Sequence, residues 1–496
     1  MEVDALCDKN GLRLVTFNVN GVRTLFQHYP FSRMNNSLKE AFELFKADII
    51  TFQELKIDAS SIQKWGRIDG YQSYISIPRK KKGYSGVGCW VRQPTTENDP
   101  LRKHLQVIKA EEGITGLLTT HNKGLSYRNS PDGIGGYTGL DVVDEEQLIN
   151  IDSEGRCVLI ELACNIVVIS TYCPANSTQT EEGERSRLLF LNILFKRIRN
   201  LYELGKQVVL MGDINVCRDL IDQAVGLDES NISVSEYKTG SQIEETFKDK
   251  CIEFIMEPTR VGRRLLNSML CDSIIPQYAE KGILVDTTRE IQGRDRTKMY
   301  TVWNTLLNTR PINYGSRIDF VFVTKDLRER IVNGNILNTV MGSDHCPVFA
   351  DLKIDNMDIN ETPVIKPKFE ASTRYSLNQK NIMDMFRKVS SAEENVTKTT
   401  KTTKITKPAL LGSEALGEKF IKRSPTISQP KLQTRSAHIK AFEDMLGKPP
   451  KCQHGEETIL RTSKTDKTFG RKFWVCKRSK GESNDPEGSC GFFQWK

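Results

Sequence analysis

The sequence predicts an α/β sandwich followed by a flexible linker and a small zinc-binding unit, and three observations carry that expectation. From Gly11 to about Asp355, short β-branched runs alternate with amphipathic stretches. After Asp355 the chain turns polar, basic and repetitive, reading TKTTKTTKITK over Thr397–Lys407. The final block regains aromatics and glycines together with one histidine and three cysteines. At 496 residues the chain exceeds the roughly 250–300 that one compact domain holds. The expected units are therefore residues 1–355, a linker over 356–450 and a terminal unit over 451–496.

Taken in order, the strand candidates are Leu12–Asn18, Asp48–Gln53, Gly86–Val91, Val158–Leu162, Ile166–Tyr172, Gln207–Met211, Ile318–Val323 and Val348–Leu352. Each is a short apolar run rich in β-branched residues. Helices are expected at Ser37–Lys46 and Gly183–Leu204, where apolar residues recur at three and four. Tyr127–Glu154 is rich in Gly and Asp with little period, which reads as a surface insertion. The Thr397–Lys407 stretch has too little apolar surface to order itself.

Hydrophobic residues make up 38% of the chain, but no unbroken apolar stretch is long enough to span a bilayer, so no membrane partner is expected. Met1–Asn10 lacks the basic-then-apolar layout of a signal peptide, which implies a reducing compartment. Accordingly Cys7, Cys89, Cys157, Cys164, Cys173, Cys217, Cys251, Cys271 and Cys346, scattered singly, read as free thiols. The net charge of +8 is unevenly placed: Glu361–Pro450 holds 17 basic against 9 acidic residues, while the first 360 residues carry 44 against 48. The tail, not the core, is the general attractor of polyanions.

Polar residues stand at the ends of several strand-like runs: Asn18 and Asn20, Glu54, Tyr172, Asp213 and Asn215, Asp319, and the Asp344-His345 pair. Singly each is ordinary, since an Asn after a strand is commonly a turn former. Together they fit phosphodiester hydrolysis, which requires a metal, an activated water and charge stabilisation. Oxygen donors such as Glu54 and Asn18 suit Mg²⁺. Asp213 suits a base for water, with Asn215 holding either that water or the phosphate. His345, kept charged by a carboxylate for which Asp319 is the natural candidate, suits a donor to the non-bridging oxygen, and Tyr172 adds a phenolic donor.

LVTFNVNGVR, TFQELK, GYSGVGCW, EGR, STYCPAN, MGDIN, RIDFVFV and GSDHCPV follow one another in the order seen in the exonuclease III-like AP endonucleases, and Gly11–Leu352 resembles that family. The resemblance implies a four-layer sandwich of two packed mixed sheets flanked by helices, with the site at one edge. It implies Glu54 as a metal ligand with Asn18 or Asn20 and Asp344 beside it, Mg²⁺ or alternatively Mn²⁺ as the metal, and Tyr172, Asp213, Asn215, Asp319 and His345 as the catalytic set. It also implies action on abasic sites and blocked 3′ ends of duplex DNA, in the nucleus, by a monomer. Three positions depart from the pattern: Asn20 stands where some members have Asp, Ala175 where relatives often have a phosphate-contacting Asn, and Ser316 where strong abasic-site cutters have a large aromatic. These departures favour 3′-end trimming over abasic incision. Two rivals are weighed against this reading: a phosphodiester other than DNA on the same fold, which TFQELK, GYSGVGCW and the DNA-directed tail argue against, and a scaffold with a weakened core, which the retained Glu54, Asp213, Asp319 and His345 argue against.

In the tail, Cys452, His454, Cys476 and Cys490 supply the ligand set of a closed structural zinc site. Arg471, Lys472, Phe473, Trp474 and Lys477 interleave basic and aromatic groups, which suits stacking on unpaired bases of single-stranded DNA, although some of the rings are needed for a mini-core. The block resembles a GRF-type zinc finger. Within the linker, Ile382, Met385 and Phe386 fall on a common face of one helical turn at i, i+3 and i+4, leaving Gln379 to cap the plug. The 379–386 segment resembles the peptide that docks into sliding clamps, with Met385 in place of one aromatic. Lys80–Lys82 and the basic tail suit nuclear import.

Overall fold

The computed structural model describes residues 11–119, 124–176, 180–234, 236–237, 239–354, 356–360, 366–375, 450–462, 472–478 and 489–495. Two compact units divide the chain, residues 1–397 and 398–496. Cys7, Arg471 and the Gln379–Phe386 segment lie outside the described residues, as does the side chain of Lys472.

In the first unit, β1 (Leu12–Asn18), β2 (Ile49–Gln53), β3 (Tyr71–Ser76), β4 (Val87–Arg92), β5 (Val107–Glu112), β6 (Cys157–Leu162), β7 (Ile166–Tyr172), β8 (Gln207–Asp213), β9 (Leu284–Asp286), β10 (Val302–Trp303), β11 (Gly315–Ser316), β12 (Asp319–Thr324), β13 (Ile331–Ile336) and β14 (Val348–Leu352) form two six-stranded sheets and a short ribbon. One sheet runs β13-β14-β1-β2-β4-β3, the other β5-β6-β7-β8-β12-β9, and β10 pairs with β11. Each sheet is mixed: β1 and β2 are parallel, as are β7 and β8.

Both faces of each sheet are covered, which explains the near-continuous apolar runs. Leu14, Ile49 and Cys89 of one sheet meet Ile160, Val168, Val209, Met211 and Val321 of the other in a shared core. Outward, Leu159, Ile169 and Leu210 pack under the helix Glu181–Glu203 through Leu191, Leu194 and Ile198. On the opposite outer face Phe17, Phe52 and Trp90 meet Phe42 and Phe45 of the helix Leu38–Phe45. The four layers expected from the resemblance are present. Thr180 caps the long helix by accepting from Gly183 N at 3.1 Å, and Glu181, Glu182 and Glu184 complement its N-terminal dipole.

The structure differs from the sequence reading in two stretches. Tyr127–Glu154 is not purely superficial, because Tyr127, Ile134, Leu140 and Leu148 are buried and Glu145–Asp152 is helical. Residues 366–375, within the span read as linker, lie against β3: Phe369 is buried, Arg374 pairs with Glu112 at 2.7 Å, and Tyr375 donates to Ile75 O at 3.3 Å. Apart from Cys7, the scattered cysteines are free thiols, all buried except half-buried Cys271. No helix among the described residues is long and apolar enough to cross a membrane.

In the second unit Ile459–Thr462, Lys472–Val475 and Phe493–Trp495 form a three-stranded antiparallel sheet.

Candidate active site

The carboxyl ends of β1, β2, β7 and β8 meet at one edge of the two sheets, and local backbone aims the side chains there. Tyr172 and Asp319 are the register partners of Asp213 on either side of β8. Gly212, at φ +141°, permits this crowding, since a Cβ there would stand 2.0 Å from Thr171 O. Glu54 follows β2 at φ +52°, a left-handed conformation that costs a glutamate on the order of 1–3 kcal/mol and marks a site held by its surroundings. Asn215 adopts φ +55°, which an Asn tolerates, and its N–H donates to Asp213 Oδ1 at 2.9 Å.

Asn18 ties the two sheets together: its Nδ2 donates to Glu54 Oε1 at 3.0 Å and to Asp213 Oδ2 at 2.9 Å. His345 donates through Nδ1 to Asp319 Oδ2 at 2.8 Å, and its Nε2 lies 4.0 Å from Asp213 Oδ2. Asp213, Asp319 and His345 are all buried. Thr301 Oγ1 accepts from both Ile318 N and Asp319 N at 3.1 Å, and the Thr301 carbonyl accepts from Cys346 N at 2.8 Å. That threonine sets the spacing between the strand bearing Asp319 and the loop bearing His345.

Burial disfavours charge on His345, but Asp319, Asp213 and Asp344 outweigh it and push the imidazole up to about 10. Burial, then the Asp319 carboxylate, pushes Asp213 up to about 8, against the pull of His345 and Asn18. Burial together with Glu54 and Asp213 raises the Tyr172 phenol far above its usual value, so it stays a donor.

Asn20 and Asn18, expected as metal contacts, use their side chains within the protein. Asn20 Nδ2 donates to Asp344 Oδ1 at 2.9 Å, its Oδ1 accepts from Lys56, and Asn18 Oδ1 accepts from Asn20 N at 3.0 Å. Lys56 also pairs with Glu54 at 2.9 Å. Asn176 is spent on the Thr180 backbone at 2.9 and 3.2 Å, and Asn215 Nδ2 donates to Cys173 O at 2.8 Å. Lys56 and Arg156 lie inside the TFQELK and EGR signatures but were given no role there. Arg156 lies over the Tyr172 ring at 4.9 Å, over Tyr84 at 5.3 Å, and bonds the Tyr84 hydroxyl.

A divalent cation fits this donor set. Four carboxylates, those of Glu54, Asp213, Asp319 and Asp344, crowd one edge against the charges of His345 and Lys56, and Asp319 Oδ1 is buried with no hydrogen-bond partner among the described residues. Hard oxygens with surplus negative charge suit a hard cation.

In the second unit the ligand atoms of Cys452, His454, Cys476 and Cys490 lie within 4.8 Å of one another. The backbone N–H of Cys490 lowers the Cys476 thiol to about 6, readying a thiolate for metal. Beside the cluster Phe473, Phe493 and Trp495 form a ring group with centroids 4.9–5.5 Å apart, and Phe493 and Trp495 remain exposed. Trp474 is half-buried, and exposed Lys477 pairs loosely with Glu456 at 3.5 Å.

Residues 15–345 match the endonuclease/exonuclease/phosphatase family, and residues 450–496 match the GRF zinc finger. The chain is 52% identical over 507 residues to the DNA-(apurinic or apyrimidinic site) endonuclease 2 of Saccharomyces cerevisiae, covering 98% of this chain and 97% of that one. It is 25% identical over 559 residues to the human protein of the same description, covering 98% and 99%. The crystal structure of the Xenopus laevis APE2 catalytic domain superposes with a TM-score of 0.55 at 25% identity, covering 74% of this chain and 98% of that one.

Proposed function

This chain belongs to the endonuclease/exonuclease/phosphatase family, and on that premise we propose the following reading of how it works. It is a DNA-repair nuclease, a DNA-(apurinic or apyrimidinic site) endonuclease that hydrolyses phosphodiesters at abasic sites and at blocked 3′ ends. The reading is carried by the Asp319–His345–Asp213 arrangement, joined through Asn18 to Glu54.

In this reading Glu54 and Asp344 hold a divalent cation, Mg²⁺ or in its place Mn²⁺. When bound, the cation polarises the phosphate and stabilises the departing 3′ oxygen. Asp213 orients a water and takes its proton, with Asn215 beside it. His345, held by Asp319, donates from Nε2 to the non-bridging oxygen as charge builds there, and Tyr172 donates its phenolic hydrogen to the same phosphate. Asn18 and Asn20 hold Glu54, Asp213 and Asp344 in place. Ser316 leaves the neighbouring wall open, which favours trimming of 3′ ends over incision at abasic sites.

The GRF finger binds zinc through Cys452, His454, Cys476 and Cys490 and grips single-stranded DNA through Phe473, Trp474 and Lys477 with Arg471 and Lys472. Gln379, Ile382, Met385 and Phe386 dock on a sliding clamp, and the enzyme works in the nucleus as a monomer.

Wild type, His345→Ala and Cys476→Ser are compared on an abasic duplex, a 3′-blocked nick and a recessed end with Mg²⁺ titrated. His345→Ala is expected to lose at least about a hundredfold in rate on all three. Full rates in that variant end the assignment.

A further inference from the structure

Beyond β14, the last strand of the sandwich, residues 366–375 return to β3, an edge strand of its sheet, where Glu370 forms an antiparallel bridge with Tyr74. Phe369 enters the core between the sheets, its ring centroid 6.2 Å from that of Tyr74, and Ala371 joins the outer layer. These contacts deliver Arg374 to Glu112, the buried last residue of β5. Arg374 Nη2 donates to Glu112 Oε2 at 2.7 Å, and its guanidinium carbon lies 5.0 Å from the Phe369 ring centroid. Ser76 Oγ donates to Glu112 Oε1 at 2.8 Å. A second arginine, Arg79, reaches Oε2 at 3.4 Å with a side chain that is 43% exposed. A buried carboxylate needs a close cation, so Arg374 is its near partner and Arg79 its distant one.

Arg79 also opens a segment that ends at the active site. Its N–H donates to Ser153 O at 2.9 Å, and its neighbour Pro78 is pressed on Gly155, where a Cβ would stand 2.5 Å from Pro78 N. The residue after that glycine, Arg156, bonds the Tyr84 hydroxyl and donates to Tyr172 O at 3.3 Å. At the far end of the segment, Ser85 O accepts from Lys56 N at 2.9 Å and Gly86 O from Leu55 N at 3.0 Å, the two residues after Glu54. Gly86 N and Ser85 Oγ in turn donate to Gly155 O at 3.1 and 2.9 Å. Residues 78–86 therefore brace both the backbone beside Glu54 and the arginine that lies over Tyr172.

We infer that Arg374 is a positioning residue for the active site, acting through Glu112 and Arg79 on residues 78–86 and so on Glu54 and Tyr172. The inference deepens the reading of the site and rests on the roles given there to those two residues. With Arg374 in place, Glu112 has its close cation and Arg79 stays at the longer distance. Without it, the buried carboxylate draws Arg79 inward, and a close-packed interior transmits the shift instead of absorbing it. Pro78 cannot move without Gly155, so Arg156 and Tyr172 follow. A misplacement of about 1 Å at a reacting group is enough to lower a rate by a large factor. A short strap beyond the sandwich thus belongs to the catalytic unit.

The test uses the full chain with saturating Mg²⁺ and a duplex with a recessed 3′ end, at a temperature well below the melting transition of every variant. Arg374→Gln is expected to lower kcat about tenfold with KM within about twofold of wild type. Arg374→Lys, which restores the cation, is expected to recover most of that rate. A role in stability alone lowers the melting temperature and leaves kcat at the wild-type value, and this result overturns the proposal. A loss that Arg374→Lys does not recover overturns it as well. If Arg374→Gln does not fold, Tyr375→Phe, which deletes only the hydroxyl bond to Ile75 O, replaces it. Its kcat is expected to fall about threefold at unchanged KM, and an unchanged kcat there overturns the proposal. Full rates in Glu54→Gln overturn the reading of the site itself, a separate outcome.

Discussion

His345 Nδ1 donates to Asp319 Oδ2 at 2.8 Å, which leaves Nε2 as the end of the ring that faces Asp213. The carboxylate therefore selects both the charge and the orientation of the imidazole. Asp319→Asn keeps the shape but removes the charge, and kcat is expected to fall by about 10²–10³ with little change in KM. His345→Ala is expected to cost a similar amount, and the double variant little more than either single one, because the two act as a unit. Steady-state kinetics on one duplex substrate across the four proteins check this. Additive losses contradict a shared role.

Asn20 donates to Asp344 and accepts from Lys56, so the edge is neutralised in part by lysine. Asn20→Asp keeps a residue type tolerant of φ +46° and adds a carboxylate beside Asp344. The half-saturating Mg²⁺ concentration is expected to fall several-fold, while stability in chelator drops. A titration of rate against metal, paired with melting in chelator, reads both effects.

Behind the site lies a buried ionic network in which Asp222 binds Arg289 at 2.5 Å and Arg317 at 2.8 Å, and Asp286 binds Arg317 at 2.7 Å and Arg218 at 3.0 Å. Burial opposes charge on both carboxylates, yet the arginines outweigh it and hold them below the usual range. A depressed carboxylate stabilises the fold above its unfolded value of about 4, and that contribution is lost as pH falls through the folded value. Asp222→Asn, which takes the carboxylate from buried Arg289 and leaves Arg317 with Asp286, is expected to cost about 3–5 kcal/mol at pH 7 and to flatten the loss of stability as pH falls below about 4. Urea unfolding at several pH values measures it.

Phe369 and Ala371 are buried on the first unit although they lie in a stretch of linker-like composition. Phe369→Ala is expected to cost about 3–5 kcal/mol. A chain ending at residue 355 is expected to melt well below one ending at 375, and equal melting temperatures contradict the packing.

The side chains of Cys452, His454, Cys476 and Cys490 converge from three separate stretches of the finger, so if they hold zinc, metal and fold there are expected to be lost together. Cys476→Ser or a strong chelator is expected to remove zinc, change the fluorescence of Trp474 and Trp495 and abolish single-strand binding by residues 450–496. Zinc content, emission and binding are measured on the same samples.

The strands inside the sheets were legible because they are buried on both faces: Leu12–Asn18, Ile166–Tyr172 and Val348–Leu352 run as expected from residue to residue. The edge strands were not, since β3, β5, β9 and β13 are short or carry mixed or interrupted patterns and owe their pairing to neighbours. The stretch 127–154 looked like surface because glycine and aspartate hid four buried apolar anchors spaced without period. Residues 366–375 looked like linker because a ten-residue strap has no core of its own.

The sequence by itself determined which polar residues close which strands, which cysteines and histidine cluster in the finger, and the change of character after Asp355, because each is written in side-chain type over a few residues. Only the tertiary structure decided that Asn18 bridges Glu54 to Asp213, that Lys56 occupies Asn20, and that Arg317 is buried between Asp222 and Asp286. Spacing along a chain records the period of burial, whereas these contacts depend on sheet register and on the packing of two sheets, which bring together residues as far apart as Asn20 and Asp344.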